Sequence, residues 1–126
     1  MPSSVLHVSV DCADPYQLCQ FWSEVTGKPI PETASRGDDE VGIALEGGID
    51  LLFLRVPEPK TVKNRLHVCL QPDTARDDEV ERILGLGATL VNDLRNPDGT
   101  GWAVLADPEG NEFCVLRSAA ERAATS

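Results

Sequence analysis

The sequence predicts an α+β fold made of two tandem βαβββ units, forming a curved mixed sheet with outer helices and an open central cleft. Three observations predict it. First, the chain repeats itself. Leu6-His7-Val8 returns sixty residues later as Leu66-His67-Val68, and Gly27/Gly87, Leu45/Leu105 and Phe53/Phe113 keep the same spacing. Second, each copy opens with an alternating strand pattern, followed by an amphipathic helix pattern that stops at a glycine. Third, three short strand candidates follow each helix. One such unit leaves a sheet face uncovered. Two side by side would enclose a concave surface where a ligand can sit.

The elements follow in order. Val5 to Asp11 alternates, with Leu6, Val8 and Val10 on one face and Val5, His7, Ser9 and Asp11 on the other. That is the pattern of a half-buried strand. Asp14 then suits a helix N-cap and Pro15 the first helical position. Leu18, Trp22 and Val25 make one apolar helix face, and Gly27 suits the position just past its end. Strands are expected near residues 29–33, 41–46 and 50–56, with an exposed loop from Ser35 to Glu40. This first unit covers residues 5–56.

Pro57 to Asn64 reads as the connection between units. The second unit covers residues 65–117 and opens with alternation from Arg65 to Gln71. Thr74 can cap a helix whose first turn carries Asp77, Asp78 and Glu79, where acidic side chains suit the helix dipole. Val80, Ile83 and Leu84 give its apolar face, and Gly87 sits beyond its end. Strands are expected near 88–93, 101–106 and 112–117. The Ala-rich tail, residues 118–126, reads as frayed chain or a short helix.

Composition bounds the function. The 126 residues suit a single domain, 1–126, with a formal net charge of −10. Acidic chains are repelled by phosphate backbones, so no nucleic-acid partner is expected. No apolar run approaches a membrane span, so no membrane partner is expected either. The N-terminal residues show no secretory pattern, and a cytoplasmic protein is expected. Cys12, Cys19, Cys69 and Cys114 lack CxxC spacing and should be free thiols in a reducing compartment.

The residues His7 with Asp14-Pro15, Phe21-Trp22 ending at Gly27, Leu66-His67-Val68, and above all Asp107-Pro108-Glu109-Gly110-Asn111 resemble the vicinal-oxygen-chelate superfamily. This is the superfamily of glyoxalases, bleomycin-resistance proteins and dioxygenases. The stretch from Gly101-Trp102 through the final strand is similar to its glyoxalase-like subgroup. The resemblance implies a metal position on the first and the last strand of each unit. Those positions fall on His7, Leu54, His67 and Cys114. Leu54 breaks the set, since an alkyl side chain binds no metal. Glyoxalase I activity and ring-cleaving dioxygenase activity are therefore doubtful, because the metal-binding carboxylate is missing. The resemblance also implies a homodimer, with or without exchange of units.

Two cofactor readings follow: none, which is preferred, or zinc held by His7, His67 and Cys114 with water completing the shell. Cys69 shares the strand face of His67. Trp102 can offer an apolar plate to a planar ligand or can pack in the core. Trp22 reads as core. Asp11, Ser9, Gln71 and Glu112 share faces with the histidines and can orient a polar ligand, or can simply be solvated. Leu54 and Cys69 join the candidate ligand-binding set. His7, His67 and Glu112 are candidate proton carriers.

Three functions fit. The first is binding of a small organic molecule in the cleft between the units, without a full metal shell. The second is a lyase or isomerase using His7 and His67, with or without zinc and Cys114. The third is a structural module with a vestigial cleft.

Overall fold

In each unit the first strand pairs parallel with the last, which pairs antiparallel with the strand before it. A computed structural model describes residues 2–125. It divides into two compact units, Met1–Lys60 and Thr61–Ser126. Each carries its own mixed sheet.

The first unit contains β1 (His7–Cys12), α1 (Pro15–Thr26), β2 (Glu40–Ala44) and β3 (Asp50–Arg55), with a 3₁₀ turn at Glu46–Gly48. Its sheet runs β1-β3-β2. Val41, Ile43, Leu51 and Phe53 form the buried sheet face. Leu18, Cys19, Phe21, Trp22 and Val25 of α1 are buried too, with Phe21 and Trp22 meeting edge to face at 5.4 Å. The helix ends follow the sequence. The Asp14 carboxylate accepts from Gln17 N–H at 3.2 Å, and Pro15 occupies the first turn. Gly27 takes the left-handed conformation at φ 73°, and its N–H donates to Ser23 O.

Two expectations for this unit fail. No strand forms at 29–33, where turns and irregular chain run instead. Pro29 and Pro31 stand two apart, so both missing N–H groups would fall on the same strand edge. Nor is β1 half-buried through its length. Leu6 and Val8 are exposed, Leu6 by 73%. As an edge strand, β1 has only one neighbour in its sheet.

The second unit contains β4 (Cys69–Leu70), α2 (Arg76–Gly85), β5 (Thr89–Arg95), β6 (Gly101–Ala106), β7 (Glu112–Val115) and α3 (Ala119–Thr125). Its sheet runs β4-β7-β6-β5. Ala103, Leu105, Phe113 and Val115 are buried in the strands, as are Val80 and Ile83 of α2. The alternation from Arg65 to Gln71 yields only the two-residue strand β4, although Val68 O still accepts from Cys114 N–H at 2.9 Å.

Thr74 is not the cap of α2. Ala75 holds that position without a side-chain bond. The Arg76 N–H is met by the Glu121 carboxylate from α3, at 2.7 Å. The same carboxylate oxygen accepts from Ser118 N–H, and Ser118 Oγ accepts from Glu121 N–H. Ser118-Ala-Ala-Glu121 is thus a capping box that starts α3 and ties it to α2. The buried Arg76 guanidinium donates to the carbonyls of Gly99, Thr100 and Gly101, which fixes the β5–β6 turn. Gly101 is required there: a Cβ would lie 2.1 Å from Leu94 O, at φ 88°.

The sixty-residue spacing is not kept in register. Cys69 faces Cys114, but Asp11, not Ser9, faces Leu54. Leu105 faces Phe113, but Val41, not Leu45, faces Phe53. Leu45 and Leu105 are therefore not equivalent. The first slip is of two residues and the second of four; either keeps a side chain on its face but moves it along the strand, by about 6–7 Å and about 13 Å.

The turn between β6 and β7 depends on Asp107. Its Oδ1 accepts from the backbone N–H groups of Glu109 and Asn111, at 2.9 and 3.0 Å. Asp107 is buried. Asp107→Ala should lower the unfolding free energy by about 1–3 kcal/mol, because buried donors lose their acceptor. Urea denaturation measures this. An unchanged midpoint would show that the turn holds without the carboxylate.

Candidate functional site

The open face of the second sheet is built by strand alternation. Cys69, Cys114 and Val104 lie side by side across β4, β7 and β6. Trp102 stands two residues before Val104 on the same face, opposite Leu94. His67 stands two residues before Cys69 and reaches the same spot. Its Nδ1 lies 3.7 Å from Cys69 Sγ and 3.7 Å from Cys114 Sγ. These residues line a pocket of about 280 Å³ together with Lys63 and Glu112. Trp102 is 41% exposed there, so it is not a core residue. Trp22 is core, as the sequence predicts.

Asn64 closes this end of the sheet in place of a strand. Its side-chain amide donates to Glu112 O and Leu66 O, and its Oδ1 accepts from Glu112 N–H. Glu112 also pairs with Lys63 through its carboxylate. Sequence reasoning missed Lys63, Asn64 and Val104. The first two fall in the segment read as a connection, where no periodic signal marks them. Val104 follows Trp102 by two and could have been found by alternation alone.

His67, Cys69, Trp102, Glu112 and Cys114 thus come together. Gln71 lies beyond β4 and is exposed. His7, Asp11 and Leu54 share one face of the first unit's sheet. His7 is level with Asp50, and Asp11 with Leu54. His7 and Asp11 are exposed and Leu54 is half-buried.

The metal shell implied by the resemblance does not fit these residues. Leu54 has no donor atom. It also stands four residues on from the level of His7, about 13 Å along the strand. Another donor group is present. His67, Cys69 and Cys114 offer three ligand atoms that all lie within 4.8 Å of one another.

The thiols differ in environment. All four are free. Cys12, Cys19 and Cys114 are buried, and Cys69 is exposed. Burial pushes the Cys19 thiol up to about 11. Burial first, and then neighbouring Cys69, push Cys114 up to about 11. Both shifts favour the neutral thiol in the folded state. The stabilisation they give is complete below pH 9, the ordinary thiol value. It should be lost as pH rises through 11. Denaturation midpoints between pH 8 and 11 check this, and a flat profile would contradict it. At pH 8 iodoacetamide should label Cys69 first, with the other three following only on unfolding. Rapid labelling of Cys19, read by mass spectrometry, would contradict its burial.

The glyoxalase-like domain family model matches residues 7–116. Solved structures share the fold. A glyoxalase/bleomycin resistance protein/dioxygenase family enzyme from Burkholderia phytofirmans PsJN is 22% identical, with TM-score 0.69. The match covers 90% of this chain and 97% of that one. The fosfomycin resistance protein FosX from Listeria monocytogenes, solved with manganese(II) and a dihydroxypropylphosphonic acid, is 17% identical, with TM-score 0.70. That match covers 97% and 95%. TioX from Micromonospora sp. ML1 is 22% identical, with TM-score 0.61, and the match covers 91% and 98%. No curated protein matches the chain. Among the described residues, no helix is long and apolar enough to cross a membrane. The repeat of strand order in the two units and the match across residues 7–116 lead to one assignment: the chain belongs to the glyoxalase-like domain family of the vicinal-oxygen-chelate superfamily.

Proposed function

We propose that this protein binds a small organic molecule with a planar apolar part on the open face of its second sheet. One observation carries the reading: Trp102 is part-exposed in a pocket of about 280 Å³. An indole face gives a ligand ring large contact area with little ordering cost. Val104 extends the apolar floor, and His67, Lys63 and Glu112 supply polar groups at its edge. A pocket of this size suits a ligand near the small end of the usual range.

An enzymatic reading is favoured by a second observation. His67 and Glu112 line the same pocket. An imidazole can act as general acid or base, so a lyase or isomerase step would run through His67. His7, in the first unit, is the other histidine of this reading.

We also infer a cytoplasmic homodimer. Four free thiols support a reducing location. The exposed Val5, Leu6 and Val8, around edge strand β1, support a self-association surface. Sedimentation in solution decides between one copy and two.

The binding test is ligand-observed NMR with a library of small planar aromatic compounds. Trp102→Ala should weaken any hit by about thirtyfold, equivalent to roughly 2 kcal/mol. Hits that bind the variant equally well would move the ligand elsewhere. A hit recovered chemically altered by wild type and unaltered by His67→Ala would establish the enzymatic reading, and His7→Ala would tell whether both histidines take part.

A further inference from the structure

We infer that His67, Cys69 and Cys114 form a zinc site contained wholly in the second unit, in which Cys69 joins two of the four positions of the family shell. The inference goes beyond organic-ligand binding and does not rest on it.

The argument begins with donor chemistry. Two thiolates and one imidazole are a soft set that suits zinc and discriminates against magnesium or calcium. Zinc–sulfur bonds of about 2.3 Å and zinc–nitrogen bonds of about 2.0–2.1 Å, at tetrahedral angles, set the sulfur–nitrogen edge at about 3.5–3.6 Å. His67 Nδ1 already stands 3.7 Å from each sulfur. The corresponding sulfur–sulfur edge is about 3.8 Å. All three donor atoms lie within 4.8 Å of one another, so closing the site asks for about 1 Å of movement at most. Rotation of the exposed Cys69 side chain can supply it.

The backbone holds the donors in place. Cys69 and Cys114 are direct partners in the parallel β4–β7 pair, and Val68 O accepts from Cys114 N–H. Charge also balances. Binding replaces two thiol protons with one Zn²⁺, so the two thiolates and the ion sum to zero beside a buried β7 residue. The imidazole binds through Nδ1 and keeps its proton on Nε2. Three protein donors leave a fourth tetrahedral position for water, or for an oxygen or sulfur atom of a molecule in the pocket.

The test uses the full-length protein, reduced and metal-free, with Co²⁺ and Zn²⁺ alone as probes. One equivalent of Co²⁺ should produce a thiolate-to-cobalt charge-transfer band that Zn²⁺ abolishes. Cys69→Ser and Cys114→Ser should each lose the band or weaken binding at least tenfold, while His7→Ala keeps it. X-ray absorption of the wild-type zinc form should show two sulfurs near 2.3 Å and nitrogen near 2.0–2.1 Å. That readout needs no variant to fold. A band that vanishes in His7→Ala and survives in Cys69→Ser would overturn the inference. So would a zinc shell without sulfur, or reduced protein that takes up neither metal. No organic molecule is present, so these failures leave the Trp102 reading untouched.

Discussion

The parallel pairing of β4 with β7 is the constraint on which the site depends. Both strands are short, and the pairing rests on Cys114 N–H to Val68 O and Leu116 N–H to Leu70 O. It sets Cys69 against Cys114, and strand alternation then carries His67 to the same face. A slip of one residue would turn Cys114 toward α2 and Phe113 toward the pocket. Phe113 is 1% exposed, so that slip would also open the core. The buried face thus enforces the register that the open face uses. Asn64 reinforces it from the side by bonding both backbone groups of Glu112.

Much of this fold was legible because its signals are local. Asp14-Pro15, the apolar face of α1 and Gly27 each act within a few residues of chain. The strands near 101–106 and 112–117 flank the segment Asp107–Asn111, whose residues are those of a tight turn. The failures were cases where one local signal overrode another, or where a distant group intervened. Pro29 and Pro31 defeat a strand through missing donors. The start of α2 is capped by Glu121, forty-five residues on, so Thr74 had nothing to do.

The site was partly legible for the same reason. The spacing His67-x-Cys69 is local, and its shared face could be read. Contact with Cys114 depends on which strands are neighbours and in what register, and no periodicity records that. The repeat suggested that His7 and His67 were matched. The registers differ by two residues between units, and repeat spacing is blind to that difference.

The departures from the family pattern also make sense together. Leu54 removes a donor from the first unit, while Cys69 supplies an extra one in the second. Cys69 alone completes a coordinating set of three with His67 and Cys114, and Leu54 leaves the first unit without a matching donor. Taken together, they shift coordinating capacity onto the β4–β7 pair, where one register fixes both sulfurs. They also change what such a centre could do. Carboxylate donors are hard and can accept a proton, whereas thiolates neutralise the ion and soften it. A centre of this kind is suited to holding a ligand's donor atom against the indole of Trp102 rather than to drawing a proton from carbon.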